Sequence, residues 1–206
     1  MQAYQTMVAS DGYEVMLFPL PYMAISQGEG GTGSHDGTYN MDFIGWGPNG
    51  RIYDAPLYAP CSCRCVATVS SINNGRIFTS LNKVHTPNGL QYVSFMTMHD
   101  ETPPSVGSTF NQGEIFAHTG LYGQATGDHT HFNTANGAYA GYETTQTGHT
   151  QLVNSTHIYD ICYVNNTVLT QPLSYPWVTY SGGTIESLKK GKFPWVLYAR
   201  KLRKKY

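Results

Sequence analysis

The sequence predicts an all-β protein, and three observations carry that prediction. The 206 residues include 22 Gly and 11 Pro, which interrupt the chain too often for long helices. Short stretches in which β-branched and aromatic residues alternate with polar ones recur through much of the chain. The sequences "NNG" and "PNG" between them are typical of hairpin turns. We therefore expect antiparallel sheets.

The strand-like segments follow one another at the short intervals of an antiparallel meander. Two of them precede a flexible glycine-rich loop, "QGEGGTGS". In chain order, the expected strands are "YEVMLFPL", "YMAIS", "TYNMDFIGW", "RIYDAPLYAP", "CRCVATVSSI", "RIFTSLN", "LQYVSFMTMHD" and "EIFAHTG". After "HFNTANG" this rhythm is lost, and "AYAGYETTQTGHTQLVNSTH" predicts an exposed insertion or a linker.

Charge is unevenly distributed along the chain, whose formal net charge is −1. Eight of the twelve basic residues lie between 189 and 206, so that end carries +8 while residues 1–188 carry −9. A basic end of this kind is typical of docking to an anionic polymer or an acidic protein, and equally of a solvated terminus. We expect no nucleic-acid partner.

The sequence gives no indication of a membrane span or of a leader. No apolar run approaches the ~20 residues that cross a bilayer, so we expect no membrane insertion. The N-terminus has no basic start, and Asp11 and Glu14 precede its short apolar run. We therefore expect no signal peptide, and delivery by a route other than ordinary secretion.

Three of the four cysteines stand in "CSCRC", at Cys61, Cys63 and Cys65, and the fourth is Cys162. Alternate positions on a strand share one face, but neighbours two apart rarely reach disulfide geometry. A thiolate metal cluster is the alternative, although the second paired half of a structural zinc site is missing. We expect reduced thiols, either packed or at the surface.

Eight histidines are present, and two of them, His129 and His131 in "TGDHTHFN", are spaced to share one face of a strand. A zinc hydrolase needs three protein ligands and an open position. Asp42 in "YNMDF" is the best carboxylate in a strand context, and His35 lies seven residues upstream. Isolated histidines are usually surface or hydrogen-bonded residues, which is what we expect of His85, His149 and His157.

Four motifs, taken in order, resemble the lysostaphin/LytM-like zinc metallopeptidases, which cut peptidoglycan peptides. The motifs are "GSHDGTYNMDF", "APLYAPCSCRCVATV", "LQYVSFMTMHD" and "VGSTFNQGEIFAHTGLYGQATGDHTHFN". They extend from near Gly31 to near Gly137. The resemblance implies a β-sheet peptidase core with a groove, in residues 31–145. Residues 1–30 would then be an N-terminal arm with strands, and residues 146–206 a C-terminal extension with a basic end.

The resemblance assigns roles to individual residues. His35, Asp42 and His131 fall on the family's Zn²⁺ ligands, while His99 and His129 fall on its two active-site histidines. Which of the last two acts as the base stays open.

The sequence departs from the family's commonest pattern at two points. Six residues separate His35 from Asp42 where three are usual, and Asp36 is a rival ligand that is badly placed beside His35. Asp100 follows His99 where an apolar residue is usual, and it would alter substrate contacts or the basicity of that imidazole.

Several further residues keep two interpretations each. His118 is expected to be structural or at the surface. Asp128 would either orient an imidazole or form a turn. Tyr139 and Tyr142 would either contact the cell wall or pack, and the loops "WGPNG" and "GAYAGYETTQTGH" would line the groove.

The resemblance implies a zinc-dependent endopeptidase that hydrolyses stem peptides or cross-bridges of peptidoglycan. It is most like the wall peptidases of phage tails, so we expect a virion-associated tail lysin, or one released at the bacterial wall. Its partners would be wall peptides and other phage tail proteins. A lysis-phase endolysin, a non-catalytic wall-binding module of the same fold and a metal protein built on "CSCRC" are the alternatives.

Overall fold

A computed structural model of the chain describes residues 6–165, 167–169 and 175–182. Within these ranges the first nine strands are β1 Tyr22–Met23, β2 Ile25–Gln27, β3 Met41–Phe43, β4 Gly45–Gly47, β5 Gly50–Ile52, β6 Pro56–Tyr58, β7 Cys63–Val69, β8 Gly75–Ser80 and β9 Val84–Thr86. The others are β10 Gly89–Gln91, β11 Val93–Met98, β12 Thr109–Phe110, β13 Ile115–His118, β14 Thr130–Asn136, β15 Tyr142–Thr144, β16 Thr150–Leu152, β17 Ser155–Thr156 and β18 Val168–Leu169.

One eight-stranded sheet dominates the described part of the chain. Its strands run in the order β12-β7-β8-β11-β14-β3-β2, and β17 pairs with β14 beside that path. Every pairing in this sheet is antiparallel. The predicted all-β class with antiparallel sheets is therefore confirmed.

Helices are few in the described residues. A 3-10 helix spans Ser71–Asn73 between β7 and β8, and α1 spans Ile158–Ile161. Neither of these helices is long and apolar enough to cross a membrane.

The main core lies under the central strands of the sheet, where phenylalanines from adjacent strands meet. Phe78 stacks on Phe95 with ring centroids 5.2 Å apart, and Phe116 packs edge-on to Phe78 at 4.9 Å. Residues from both ends of the described chain complete this core, among them Phe18 and Ile158. The predicted arm and the predicted extension thus contribute to the same core as residues 31–145. The basic end, residues 189–206, lies outside the described residues.

The first expected strand, "YEVMLFPL", is not a regular strand. Val15 and Leu17 form single bridges, to His85 and Tyr163 respectively. Pro19 and Pro21 have no amide hydrogen, so this stretch cannot continue a ladder of hydrogen bonds.

All four cysteines are free, and all four are buried in the main core. Burial raises the pKa of the Cys61 and Cys63 thiols well above the usual range. A thiol held neutral in this way packs as a small apolar side chain. The structure thus places "CSCRC" among packed thiols, one of the two states expected of it.

Candidate metal centre and active site

Three adjacent strands bring the predicted site residues to one place. Asp42 in β3 lies directly opposite His131 in β14. On the other side of β14, His131 lies opposite Met98, the last residue of β11. His99 follows immediately after the end of β11, and its ring centroid lies 6.3 Å from that of His131.

His35 reaches the same place from the loop between β2 and β3. Its Nδ1 atom donates a hydrogen bond to the Gly28 carbonyl at 2.9 Å, and its own carbonyl accepts one from the Thr38 hydroxyl at 3.1 Å. These contacts fix the ring and direct its Nε2 atom inward.

The three predicted ligands converge on one point. His35 Nε2 lies 3.1 Å from Asp42 Oδ1 and 3.2 Å from His131 Nδ1. His131 Nδ1 lies 3.0 Å from Asp42 Oδ1. All three residues are buried, and they are the group of potential metal ligands found within the described residues. Asp36, the rival carboxylate, is exposed and lies outside this group.

The protonation of these groups favours a cation between them. A carbonyl can only accept, so His35 Nδ1 carries the hydrogen and Nε2 of the neutral ring presents a lone pair. Asp42 Oδ1 presents lone pairs too, and one proton on His131 Nδ1 cannot satisfy three mutual contacts. Ligands at the zinc–nitrogen distance of ~2.0–2.1 Å in a tetrahedron lie about 3.3 Å apart. The donor set therefore fits a small divalent ion.

The electrostatics of the group keep its members in the form that binds a metal. Burial acts to raise the pKa of Asp42, but the imidazoles of His131 and His35 beside it outweigh this effect and lower that pKa below its ordinary value. Burial lowers the pKa of His131. A carboxylate and a neutral imidazole are the forms that coordinate metal ions.

His99 and His129 stand beside this group with their rings held in the same manner. The Nδ1 atom of His99 donates to the Tyr122 carbonyl at 2.8 Å, and that of His129 donates to the Gly127 carbonyl at 2.6 Å. Each Nε2 is thereby left with a lone pair. The two ring centroids are 4.5 Å apart, and His129 Nε2 lies 3.5 Å from Asp42 Oδ2. Burial lowers the pKa of His99 to about 4.

Gly120 contacts the backbone of both imidazole-bearing segments. Its amide and carbonyl pair with those of His129 at 3.0 and 3.1 Å. A Cβ atom at position 120 would lie 2.1 Å from the carbonyl oxygen of His99, so only glycine fits. His99 itself has a φ of +78°, a rare conformation for a residue with a side chain and one that is concentrated at functional sites.

The side chain of Asp100 binds backbone amides of neighbouring segments. Its carboxylate accepts hydrogen bonds from the amides of Thr102 at 2.7 Å and His118 at 2.8 Å. Its carboxylate thus holds the chain around His99, and Asp100 is absent from the residues that line the cleft described below.

The carboxylate of Asp128 also binds structural partners. It accepts from the Thr119 hydroxyl at 2.7 Å and from the Asp54 amide at 3.0 Å. Because Nδ1 of His129 is bound to Gly127, Asp128 does not orient that imidazole. Its carboxylate does not close a local turn either, because it joins Thr119 and Asp54, which are distant from it in sequence.

The site opens into a cleft of about 430 Å³. Its lining consists mainly of polar, uncharged side chains around the imidazoles and Asp42, namely Gln27, Ser34, Asn40, Ser70, Asn73, Gln124, Thr126 and Thr150, with Ile72, Met98 and Gly148. His149 also lines the cleft, so our expectation that it is an ordinary surface histidine missed this position. No local motif marks it, because only the folding of the chain brings it here.

The other residues and loops singled out in the sequence lie partly outside the cleft and partly in its wall. His85 and His157 pair with Asp11 and Glu29, both at 2.8 Å, as hydrogen-bonded residues outside the cleft. Tyr139 packs against a second core cluster, which includes Ile77, Met96 and Leu152. Of the two loops expected to line the groove, "GAYAGYETTQTGH" contributes residues to the cleft, whereas "WGPNG" contributes none.

Comparison with known proteins finds relatives in sequence and in structure. No protein-family model matches the chain. Morphogenesis protein 1 of Bacillus phage B103 is 35% identical over 177 residues, which cover 82% of this chain and 46% of that protein. The chain therefore spans less than half the length of this relative.

Among solved structures, the antimicrobial peptidase lysostaphin from Staphylococcus simulans is similar with a TM-score of 0.42 and 17% identity, over 65% of each chain. The catalytic domain of the prophage-encoded M23 protein EnpA from Enterococcus faecalis gives a TM-score of 0.43 and 16% identity, over 60% of this chain and 88% of that one. The chain is thus similar to solved peptidases of the lysostaphin type, the family that its sequence motifs resemble.

Proposed function

We propose that the protein is a zinc-dependent endopeptidase that hydrolyses peptide bonds in the stem peptides or cross-bridges of peptidoglycan. One observation carries this proposal: the ligand atoms of His35, Asp42 and His131 converge beside two imidazoles whose Nδ1 atoms are held by backbone carbonyls, and the group opens into a cleft. A buried set of this kind suits hydrolysis at a divalent metal.

In this proposal, His35, Asp42 and His131 hold the metal through Nε2, a carboxylate oxygen and Nδ1, respectively. A bound Zn²⁺ would lower the pKa of a water molecule toward ~7 and polarise the scissile carbonyl. The burial of the three side chains excludes competing solvent from the ligand atoms and strengthens their attraction for a cation.

His99 and His129 would carry out the proton transfers. Peptide hydrolysis needs one group that takes a proton from the attacking water and one that returns a proton to the leaving amine. The low pKa of His99 keeps its Nε2 unprotonated at neutral pH, which suits an acceptor that orients the water. His129 would take a proton from the attacking water on Nε2 and then return that proton to the leaving amine, while its Nδ1 stays bound to Gly127.

We place this activity in a phage. The similarity to a phage morphogenesis protein over 82% of the chain supports a phage origin. We infer that the protein belongs to the virion tail and opens the bacterial wall there, or is released at the wall. Other tail proteins would then be its partners, in addition to wall peptides.

The test is zymography on purified cell walls with the wild type, His131→Ala and EDTA-treated protein. A matched control is His85→Ala, since His85 lies outside the cleft in a pair with Asp11. We expect wall lysis by the wild type and the control alone. Lysis by all samples, or by none, would contradict the zinc mechanism, and binding to walls without lysis would identify a non-catalytic module. Mass analysis of the released fragments names the bond.

A further inference from the structure

The turn between β15 and β16, residues 145–149, forms part of one wall of the cleft and is held rigidly. The Thr145 amide donates to the His149 carbonyl at 2.8 Å, and the Gly148 amide donates to the Thr145 carbonyl at 2.9 Å. The His149 amide donates to the Thr145 hydroxyl at 3.2 Å. Gly148 has a φ of +86°, which favours glycine at this point of the turn.

This turn is also fastened to the loop that carries His35. The Thr147 hydroxyl donates to the Asp36 carbonyl at 2.5 Å. Gly37 lies directly beneath, where a Cβ atom would be 3.4 Å from the Thr147 hydroxyl oxygen. The position of the turn relative to the metal ligands is therefore fixed.

His149 is presented into the cleft with unused hydrogen-bonding capacity. Its ring makes no hydrogen bond to any residue within 6–165, 167–169 or 175–182, whereas the rings of His85 and His157 are bound to carboxylates. An imidazole on a rigid turn, open to a cleft, can both donate and accept. Such a group is available to a ligand that enters the cleft.

Asn40 fixes the same wall of the cleft from the other side. It is fully buried and lies in the lining of the cleft. Its amide nitrogen donates to the Thr150 carbonyl at 3.0 Å. Asn40 therefore ties the segment between His35 and Asp42 to the residue that follows His149.

The charge of the cleft indicates what kind of ligand fits. Among the lining residues, Asp42 has the only carboxylate, and none is Lys, Arg or Glu. The available groups are amides, hydroxyls and imidazoles, which suit the N–H and C=O groups of a peptide backbone. They do not suit a free carboxylate, which is usually bound by Arg or Lys.

We propose that His149 is a substrate-binding residue that holds the backbone of an uncharged peptide segment in the cleft beside the metal ligands. Its ring bonds one peptide group of the substrate, and Asn40 and Thr147 position the wall that carries it. The inference rests on the endopeptidase function proposed above and names the class of substrate recognised there.

The test measures the rate of peptide release from fragmented cell walls as a function of wall concentration. We expect His149→Ala to raise the apparent KM about tenfold, as the loss of one hydrogen bond to substrate does, with kcat within about twofold. His149→Gln should recover part of the loss, because the amide also donates and accepts. Thr147→Val, which releases the turn from Asp36, should raise the apparent KM as well.

Measuring the zinc content of each variant distinguishes a substrate-binding role of His149 from a metal-binding role. His85→Ala is the matched control. All variants should bind one zinc ion per chain. Loss of zinc in His149→Ala would make His149 a ligand, and a fall in kcat at constant KM would place it among the reacting groups; either result overturns the substrate-binding role. Unchanged kinetics of His149→Ala with an active wild type overturns this inference alone. A wild type that loads zinc but releases no peptide overturns the proposed function and this role of His149 with it.

Discussion

Two stretches of the main sheet carry cysteine or histidine, residue types that can bind metals, at every second position, and their surroundings differ. In β7, Cys63 and Cys65 point together into the core. At the start of β14, His129 and His131 point together into the cleft. The same spacing thus selects one face of a strand in both cases. The spacing alone does not determine whether that face packs in the core or lines a cleft.

The surroundings then fix the chemistry of each pair. Around the cysteines, burial raises the thiol pKa and removes the thiolate that a metal would need. Around His131, burial keeps the imidazole neutral, and the imidazoles beside Asp42 hold it as a carboxylate. In the metal-free chain, burial therefore keeps the thiols neutral and packed, whereas it leaves the imidazole with the lone pair that coordination needs.

The largest expected effect on zinc content and activity comes from removing His131, the proposed ligand of the histidine pair. His131→Ala removes one of three ligand atoms, so zinc content should fall below one ion per chain. Activity on cell walls should then fall by about 10³-fold or more, because the chemistry depends on the ion. Metal analysis and turbidity measurements test this. Full zinc content in the variant would contradict the assignment of His131.

A smaller effect should follow from changing the histidines that do not bind the ion. His99→Ala and His129→Ala should each keep one zinc per chain and lose about 10²–10⁴-fold in kcat, the usual contribution of general acid–base catalysis. The measurement is kcat alongside metal content. Loss of zinc in either variant would show that the two histidines of "HTH" do not have separate roles.

The metal-free protein should lose stability as the pH falls. The pKa of His99 is about 4 in the folded chain and 6.5 in its ordinary state, so stability is complete above pH 6.5. Below it, the unfolded chain binds a proton that the folded chain does not, and the free energy of unfolding falls until about pH 4, in total by about 3 kcal/mol. Urea unfolding of EDTA-treated protein at pH 7 and 4.5 measures this. If the free energy of unfolding of His99→Asn fell equally between pH 7 and pH 4.5, His99 would not be the cause of the loss.

The smallest effect on metal content should come from the cysteine side of the comparison. The double change Cys63→Ala and Cys65→Ala should leave one zinc ion per chain and unchanged activity. Stability should decrease by about 1 kcal/mol for each lost sulfur, because small cavities remain in the core. Loss of zinc would instead support a site built on "CSCRC".

The fold class could be predicted because a period of two marks strands. The meeting of Asp42 with His131 was expected from the resemblance of four motifs to a known family, because the spacing of single residues does not show which strands adjoin. The irregular course of residues 13–20 was not predicted, because its apolar pattern resembles that of a regular strand. His149 and the partners of Asp128 could not be predicted, because contacts distant in sequence determine them.

The close approach at Gly120 has a consequence for how this site can change. One residue without a side chain touches the backbones that carry His99 and His129, so the two imidazoles are parts of a single mechanical unit. Any larger residue at position 120 would displace both at once. A substitution in the cleft wall can therefore act on one residue at a time, whereas a substitution at position 120 acts on the positions of both imidazoles.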